Sequence, residues 1–456
     1  MAAVMGSGTI GARLSHAASL LPLADALCRR IAEAARAELP QLAALAPEEL
    51  VSLSLPLPAA LLDGACIGGD TRWLAPHGEL ALWAAGTVQR YDDMAQYQRD
   101  LAQWHCRGEG VPLSFFTVPP ATEPARPTLW LPQVLLRRDR GGFVLTLSAR
   151  RGGRTPQQIV AEWLDAVRGL FTVPVVTGSS RLVTQQVTPD ADGWQERVLA
   201  TRAAIRAGRF AKAVLARRLC AQLSQPVNVG GVLARLAQMY PGCHVLSLPY
   251  GDGQVVAATP EQLASKRGGE LVSHALAGTV RRRRGSQEEA LAVAELFASA
   301  KERREHALVV ESIKERMMQL CSRVEHAAVP SLLSLRFVQH LWTRVYGRLH
   351  DGVGLLDAVR VLHPTPAVLG APTDAAQAWL EECGERRDGL YTGVVGWIDR
   401  QGDGDAVVVL RAAYLEGNSA VLWAGAGIMA ESDPATELAE TELKLQTMLE
   451  VLGSSP

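Results

Sequence analysis

From about residue 190 onward the chain switches repeatedly between two hydrophobic periods. Trp194 to Ala207 repeats its apolar positions at helical spacing and is closed by Gly208. The following FAKAVLARRL alternates as a strand, and a helix is expected over 229–240. HVLSLP and QVVAAT flank the turn GDG, and LASKRGGELVSHALAG reads as another hairpin. One long helix is expected over 286–322, carrying the mixed-charge run KERREH. Then come a helix over 374–384, strands YTGVVGWID and AVVVLRAAYL around DRQGDGD, the strand AVLWAGAG, and a last helix over 434–452. The first 190 residues are less periodic. They show a helical pattern over 18–38, strand-like TRWLAP, GELALWAAG and GGFVLTLSAR, a Pro-rich loop over 117–127, and a helix over 155–170. Hairpins interleaved with helices predict an α+β fold, sandwich-like, with antiparallel sheets covered by helices on their outer faces. The patterning divides the chain into 1–190 and 191–456.

Composition narrows the classes. The 456 residues are 48% hydrophobic and 20% charged, a balance that excludes disorder. Lys plus Arg (46) nearly cancel Asp plus Glu (47), leaving no global basic field for nucleic acid or an anionic membrane. Seven scattered cysteines without a CxxC pair suit neither a disulfide framework nor a zinc knuckle, and fit a reducing cytoplasm. The apolar stretch Ala17 to Leu27 contains Pro22 and Asp25 and lacks a cleavage site, so no secretory signal is expected. No apolar run reaches the roughly 18 residues of a membrane span. Three local motifs carry little. GSGTIG at 6–11 lacks the preceding strand that a dinucleotide fingerprint needs. RRRR at 281–284 reads as a solvated turn before a helix, and DRQGDGDA lacks the closing Glu of a calcium loop and reads as a hairpin turn.

Candidate chemistry sits elsewhere. Glu302 and Glu305, and likewise Glu437 and Glu440, are spaced i, i+3 on expected helices, which puts each pair on one face. Two such faces meeting would offer hard oxygen ligands suited to Mg²⁺; the same spacing also describes two ordinary solvated faces. The chain uses Arg almost everywhere and keeps only Lys212, Lys266, Lys301, Lys314 and Lys444. Arg stays protonated, whereas a desolvated Lys can act as a base. Lys212 lies within an apolar strand, FAKAVLA, where it is either such a base or an edge lysine with its tip in solvent.

Taken together, LARR after Lys212, ATPEQL, HALAGT, SAKERREH, LHPTPAVLGAP, GLYTGVVGWID, VVLRAAYL, WAGAGIMAESDP and ETELK resemble, in this order, the chorismate-utilising enzymes. That superfamily includes isochorismate, salicylate, anthranilate and aminodeoxychorismate synthases. The resemblance spans about 190–453, and the GWID strand and HPTPAV loop are most similar to the isochorismate synthases. It implies one large domain of two packed, largely antiparallel sheets flanked by helices, with 1–190 completing the same fold and 191–456 forming the chorismate-binding catalytic portion. It further implies Lys212 as the base that activates water to attack C2 of chorismate, and Glu261 as the acid that protonates the departing C4 hydroxyl. Glu305 and Glu440 correspond to Mg²⁺ ligands, with Glu302 and Glu437 holding metal-bound waters. Tyr391, Arg411 and Lys444 correspond to side chains gripping the substrate carboxylates, and Gly425 and Gly427 to a loop whose amides reach the same group. Thr279 and His363 correspond to positions lining the ring and its enolpyruvyl arm. The resemblance also implies a monomer, with a weak dimer as the alternative.

The same positions separate the members. Anthranilate synthases carry Gln in place of Lys212 and Thr in place of Ala367, and aminodeoxychorismate synthases use a Lys nucleophile where this chain has Ala277. A salicylate synthase shares the acid, base and binding residues and then eliminates pyruvate, a step that needs orientation more than new side chains. The resemblance thus favours an isochorismate synthase, with salicylate synthase as the alternative. A catalytically silent partner would be expected to lose one of Lys212, Glu261, Glu305 or Glu440, and all four are present. The downstream pathway, whether menaquinone, catechol siderophore or salicylate, has no signal in the chain. Departures from the family pattern include Arg344 and Tyr346 in LWTRVYGRL and GVVG for the more usual GPVG.

Overall fold

The computed structural model describes residues 11–62, 67–108, 110–122, 126–171, 180–283 and 285–453. Apart from Gly11, the GSGTIG segment lies outside the described residues, as do Cys66 and Arg284. The chain divides into two compact units, one of Met1–Trp73, Glu79–Pro112 and Trp130–Gly178, the other of Leu74–Gly78, Leu113–Leu129 and Ser179–Pro456. The second unit thus begins before residue 190 and takes in earlier segments. Strand Leu113–Val118 pairs with Val394–Asp399, and Leu182–Thr188 pairs with Lys212–Leu223. Such long-range pairings leave no trace in local periodicity.

In the first unit, strand Leu50–Leu57 runs antiparallel to Gly142–Arg150 and parallel to Trp104–Gly108. Alternate residues of a strand face opposite sides. Val51 and Leu53 therefore join Leu27 and Ile31 of the helix Gly11–Ala44 and Trp163 of the helix Pro156–Phe171 in one apolar core. Ser52 and Ser54 on the other face pair with Ser148 and Thr146 at 2.7 and 2.8 Å.

The second unit contains two antiparallel ladders. In one, Lys212–Leu223 lies between Leu182–Thr188 and Ser419–Ile428, and the ladder continues through Ala412–Glu416 and Gly253–Thr259 to His244–Tyr250. In the other, Leu113–Val118, Val394–Asp399, Gly404–Val408, Gln262–Arg267, Glu270–Arg281 and Val338–Leu349 follow one another. Helices Val229–Met239 and Pro434–Gly453 cover the first ladder with Leu233, Leu236, Leu445 and Met448. Strand Lys212–Leu223 is buried at each of its first six positions and alternates from Arg218 onward. Its first half therefore has protein on both faces, and that half carries Lys212.

Two expected elements are divided, and each division moves chemistry. The helix expected over 286–322 is two helices, Ser286–Ala298 and Ala300–Met317, separated at Ser299, whose backbone is extended. The Ser299 hydroxyl accepts the Glu302 N–H and caps the second helix, so Glu302 and Glu305 stand in its first two turns. The strand expected at AVVVLRAAYL is broken into Gly404–Val408 and Ala412–Glu416 by Arg411, which takes a left-handed conformation with φ 49°. The strand Val338–Leu349 and the helix Leu355–Leu362 were not legible in the pattern. Arg344 and Tyr346 both lie on that strand, with Arg344 over the Trp342 ring and Tyr346 exposed. Among the described residues no helix is long and apolar enough to cross a membrane.

Candidate active site

A cavity in the second unit draws its walls from both ladders and from two helix starts. Val214, Trp423, Gly425 and Gly427 come from the first ladder, and Leu276 to Thr279 and His340 from the second. Glu305 enters from the helix Ala300–Met317, and Glu440 and Lys444 from Pro434–Gly453. Glu261, Tyr391 and Arg411 complete the lining from connecting segments.

The backbone is strained where it forms this wall. Four non-glycine residues among those described have left-handed φ, and three of them are Leu390, Thr392 and Arg411. Tyr391 sits between the first two, so the turn projects its ring into the cavity, stacked on Trp423 at 5.9 Å. A β-branched residue such as Thr392 rarely adopts this conformation, and strain of this kind clusters at functional sites. On the opposite ladder the register slips between Ala277 and Thr279, where Gly278 has φ +79°. A Cβ on Gly278 would lie 3.1 Å from the Glu302 carbonyl oxygen. The bulge turns the Thr279 N–H toward Glu302 Oε2 at 2.8 Å and sets its hydroxyl 3.1 Å from His340 Nδ1.

Glu261 is buried beside the cavity and accepts a hydrogen bond from the Thr365 hydroxyl at 3.4 Å. Burial pushes its carboxyl up to about 7, against the pull of Lys212. Lys212 is 1% exposed and its ammonium lies 2.9 Å from Glu305 Oε1, so the edge-lysine alternative does not hold. Gly427 leaves room for this pair: a Cβ there would stand 2.3 Å from Glu305 Oε1 and 2.7 Å from Lys212 Cε. Gly425 and Gly427 are strand residues rather than loop residues, and the Gly425 carbonyl accepts from Lys444 Nζ at 2.7 Å.

The four carboxylates expected to serve a metal are buried or half-buried at the starts of two helices. The positive end of each helix dipole favours an acid there. Lysines separate them. Lys301 lies 2.9 Å from Glu437 and 3.1 Å from Glu302, and Lys444 lies 2.5 Å from Glu440. Among the described residues no three His, Cys, Asp or Glu side chains come together closely enough to hold a metal ion. The electrostatics nevertheless fit a dication. Burial and the neighbouring Glu440 push Glu437 up to about 7, and burial with Glu305 raises Glu302. Burial also opposes ionisation of Glu440, but Lys444 outweighs it and holds that carboxyl down at about 2. With all four acids ionised they exceed the three ammoniums by one negative charge, and all the donors are hard oxygens.

The cavity gathers Glu261, Thr279, Tyr391, Arg411, Gly425, Gly427, Glu305, Glu440 and Lys444 in its lining, with Lys212 directly behind it. His363 is not among the lining residues. It caps the C-terminus of helix Leu355–Leu362, where burial and Arg316 hold its ring neutral, down at about 4. The histidine that reaches the cavity is His340, whose Nε2 lies 3.3 Å from Arg411. It belongs to the strand that the pattern left unassigned. The His in FVQHLW was the available signal, and only strand register against HALAGT brings it beside Thr279.

Relatives carry the same framework. Residues 113–453 match the chorismate-binding enzyme family model. The chain is 39% identical over 280 residues to a putative isochorismate synthase of Aeromonas hydrophila, covering 61% of this chain and 71% of that protein. It is 31% identical over 325 residues to the isochorismate synthase MenF of Bacillus subtilis, covering 71% of this chain and 69% of that one. Its fold matches the solved structure of MenF, the menaquinone-specific isochorismate synthase of Escherichia coli, with a TM-score of 0.78 and 25% identity over 92% of this chain and 99% of that one. With its two antiparallel ladders enclosing an acid, a buried lysine and a carboxylate cluster, the chain belongs to the chorismate-binding enzyme family.

Proposed function

We propose that the protein is an isochorismate synthase that moves the hydroxyl of chorismate from C4 to C2 by adding one water and losing another. The observation that carries this reading is Glu261, a buried carboxyl pushed up to about 7 by its burial, in a cavity whose lining also presents Arg411, Lys444, Tyr391 and Thr279. An acid poised near the working pH can give its proton to a departing hydroxyl. Lys212 is the base: it takes a proton from the water that attacks C2 while Glu261 protonates the C4 oxygen as it leaves. The ring double bonds shift between the two carbons and no electrons are gained or lost. Tyr391, Arg411 and Lys444 hold the carboxylates of the substrate, with Thr279 beside the ring. Glu305 and Glu440 would ligate a Mg²⁺ ion, with Glu302 and Glu437 holding its waters, and the ion would supply positive charge to a substrate carboxylate. With Glu305 engaged by the ion, Lys212 would lose its closest anionic partner, which would favour its role as the base. A cytoplasmic setting is supported by the cysteines, none of which is in a disulfide among the described residues. We take the catalyst to be a monomer.

The reading is tested by incubating the purified protein with chorismate and Mg²⁺, separating the products by chromatography and assaying pyruvate, with a chelator control. Isochorismate without pyruvate, lost on chelation, is the expected result. Salicylate with stoichiometric pyruvate would replace it with a salicylate synthase, and unchanged chorismate from folded protein would refute both.

A further inference from the structure

The carboxylate cluster contains three lysines with different surroundings. Lys212 and Lys444 each have a second tie to the cavity, through the Gly427 wall and the Gly425 carbonyl. Lys301 is different: its ammonium spans two carboxylates on two helices, Glu302 beside it and Glu437 across from it, and it lies outside the cavity lining. Glu437 is 1% exposed and the Lys301 side chain 22%, so salt screens this pairing less than it would a surface pair. An ammonium in this position does with one charge what a dication does with two. It compensates acids that would otherwise repel one another and links the starts of the two helices that carry them.

We infer that Lys301 is the resident counter-ion of the carboxylate cluster, and that by competing for Glu302 and Glu437 it sets how tightly the enzyme holds its dication. The inference rests on the Mg²⁺ reading above. Removing the ammonium leaves four acids facing two lysines, so the cluster becomes one unit more negative. At separations of a few ångströms in a buried site, that charge tightens dication binding by about tenfold or more. The same change leaves the metal-free protein with unrelieved repulsion, which Mg²⁺ then quenches. A purely structural lysine predicts the reverse, since losing it would loosen the helices and weaken the metal.

The experiment titrates Mg²⁺ into the full-length wild type, Lys301→Met and Lys301→Arg by calorimetry, and follows thermal unfolding of each with and without Mg²⁺. Lys301→Met should bind Mg²⁺ about tenfold or more tightly and show a larger Mg²⁺-induced rise in Tm than wild type, while Lys301→Arg, which keeps the charge, stays close to wild type. If Lys301→Met does not fold, Lys301→Gln takes its place with the same expectation. Equal or weaker binding by the neutral variant, in a wild type that does bind Mg²⁺, overturns the inference and leaves the metal reading intact. A wild type that takes up no Mg²⁺ overturns both.

Discussion

The two units of the chain bury polarity in different ways. In the first, the buried polar side chains among the described residues are uncharged: Ser52, Ser54, Thr71, Thr146 and Ser148. Two hydroxyl pairs and the Trp104 indole, which donates to Ser52 at 2.9 Å, satisfy four of them. In the second unit Lys212, Arg217, Glu261, Lys266, Glu305, Glu385, Arg387, Asp399, Asp405 and Glu437 are all buried. A buried charge costs several kcal/mol unless it is paired, and even a paired one adds little to stability compared with apolar packing. Of these ten ionisable side chains, Lys212, Glu261, Glu305 and Glu437 belong to the cavity and its carboxylate cluster, while Lys266, Asp399 and Asp405 hold the hairpin around Gly404.

Arg387 supports the cavity walls. It donates to the carbonyls of Val368 and Val214 and, through Nε and Nη2, to Glu385 Oε1, while Glu385 Oε2 accepts from the Ala216 N–H and Arg197. Val214 and Val368 line the cavity, so this ion pair fastens two walls from behind.

The contrast can be broken by substitution, and the largest effect is kinetic. Lys212→Ala and Glu261→Gln should each lower kcat by about 10²–10⁴-fold while circular dichroism stays that of wild type. Next, Arg387→Met should cost about 3–5 kcal/mol in urea unfolding, because it leaves Glu385 buried without its closest partner. Third is the response to pH. Glu261 must carry a proton to act, and its folded pKa is raised to about 7, so the rate should fall as pH rises through that value. The raised pKa also means that the folded state favours the protonated form. Stability contributed at low pH is lost between the unfolded value, about 4.3, and about 7. Glu261→Gln should therefore be more stable than wild type at pH 8, by on the order of 3 kcal/mol, although inactive. The smallest effect belongs to the first unit: Ser54→Ala should cost about 1 kcal/mol and leave kcat unchanged.

Much of the second unit was readable in the chain because its motifs are local. Lys212 in an apolar strand and acid pairs at i, i+3 each declare their type within a few residues, whereas Glu261 was reached only through the family resemblance of ATPEQL. What escaped depends on register and backbone strain. His340 enters the cavity only because its strand pairs with Glu270–Arg281 across a bulge at Gly278. His363 occupies a suggestive loop but turns into the protein at a helix end. Arg411 interrupts what reads as one continuous strand, AVVVLRAAYL, because a left-handed turn is not encoded by hydrophobic period. Ser299 splits a helix that the apolar spacing continues straight through, and its cap is what brings Glu302 to a helix start. The first unit hid more, since its strands find their partners across long stretches of chain, as Leu50–Leu57 does with Gly142–Arg150.

The central claim is that water, activated by Lys212, enters at C2 while the C4 hydroxyl leaves with the proton of Glu261. Turnover of chorismate with Mg²⁺ in ¹⁸O-labelled water, followed by mass spectrometry of the product, tests it directly. The account predicts isochorismate carrying one solvent oxygen, at C2. Isochorismate that retains the original hydroxyl oxygen would contradict it.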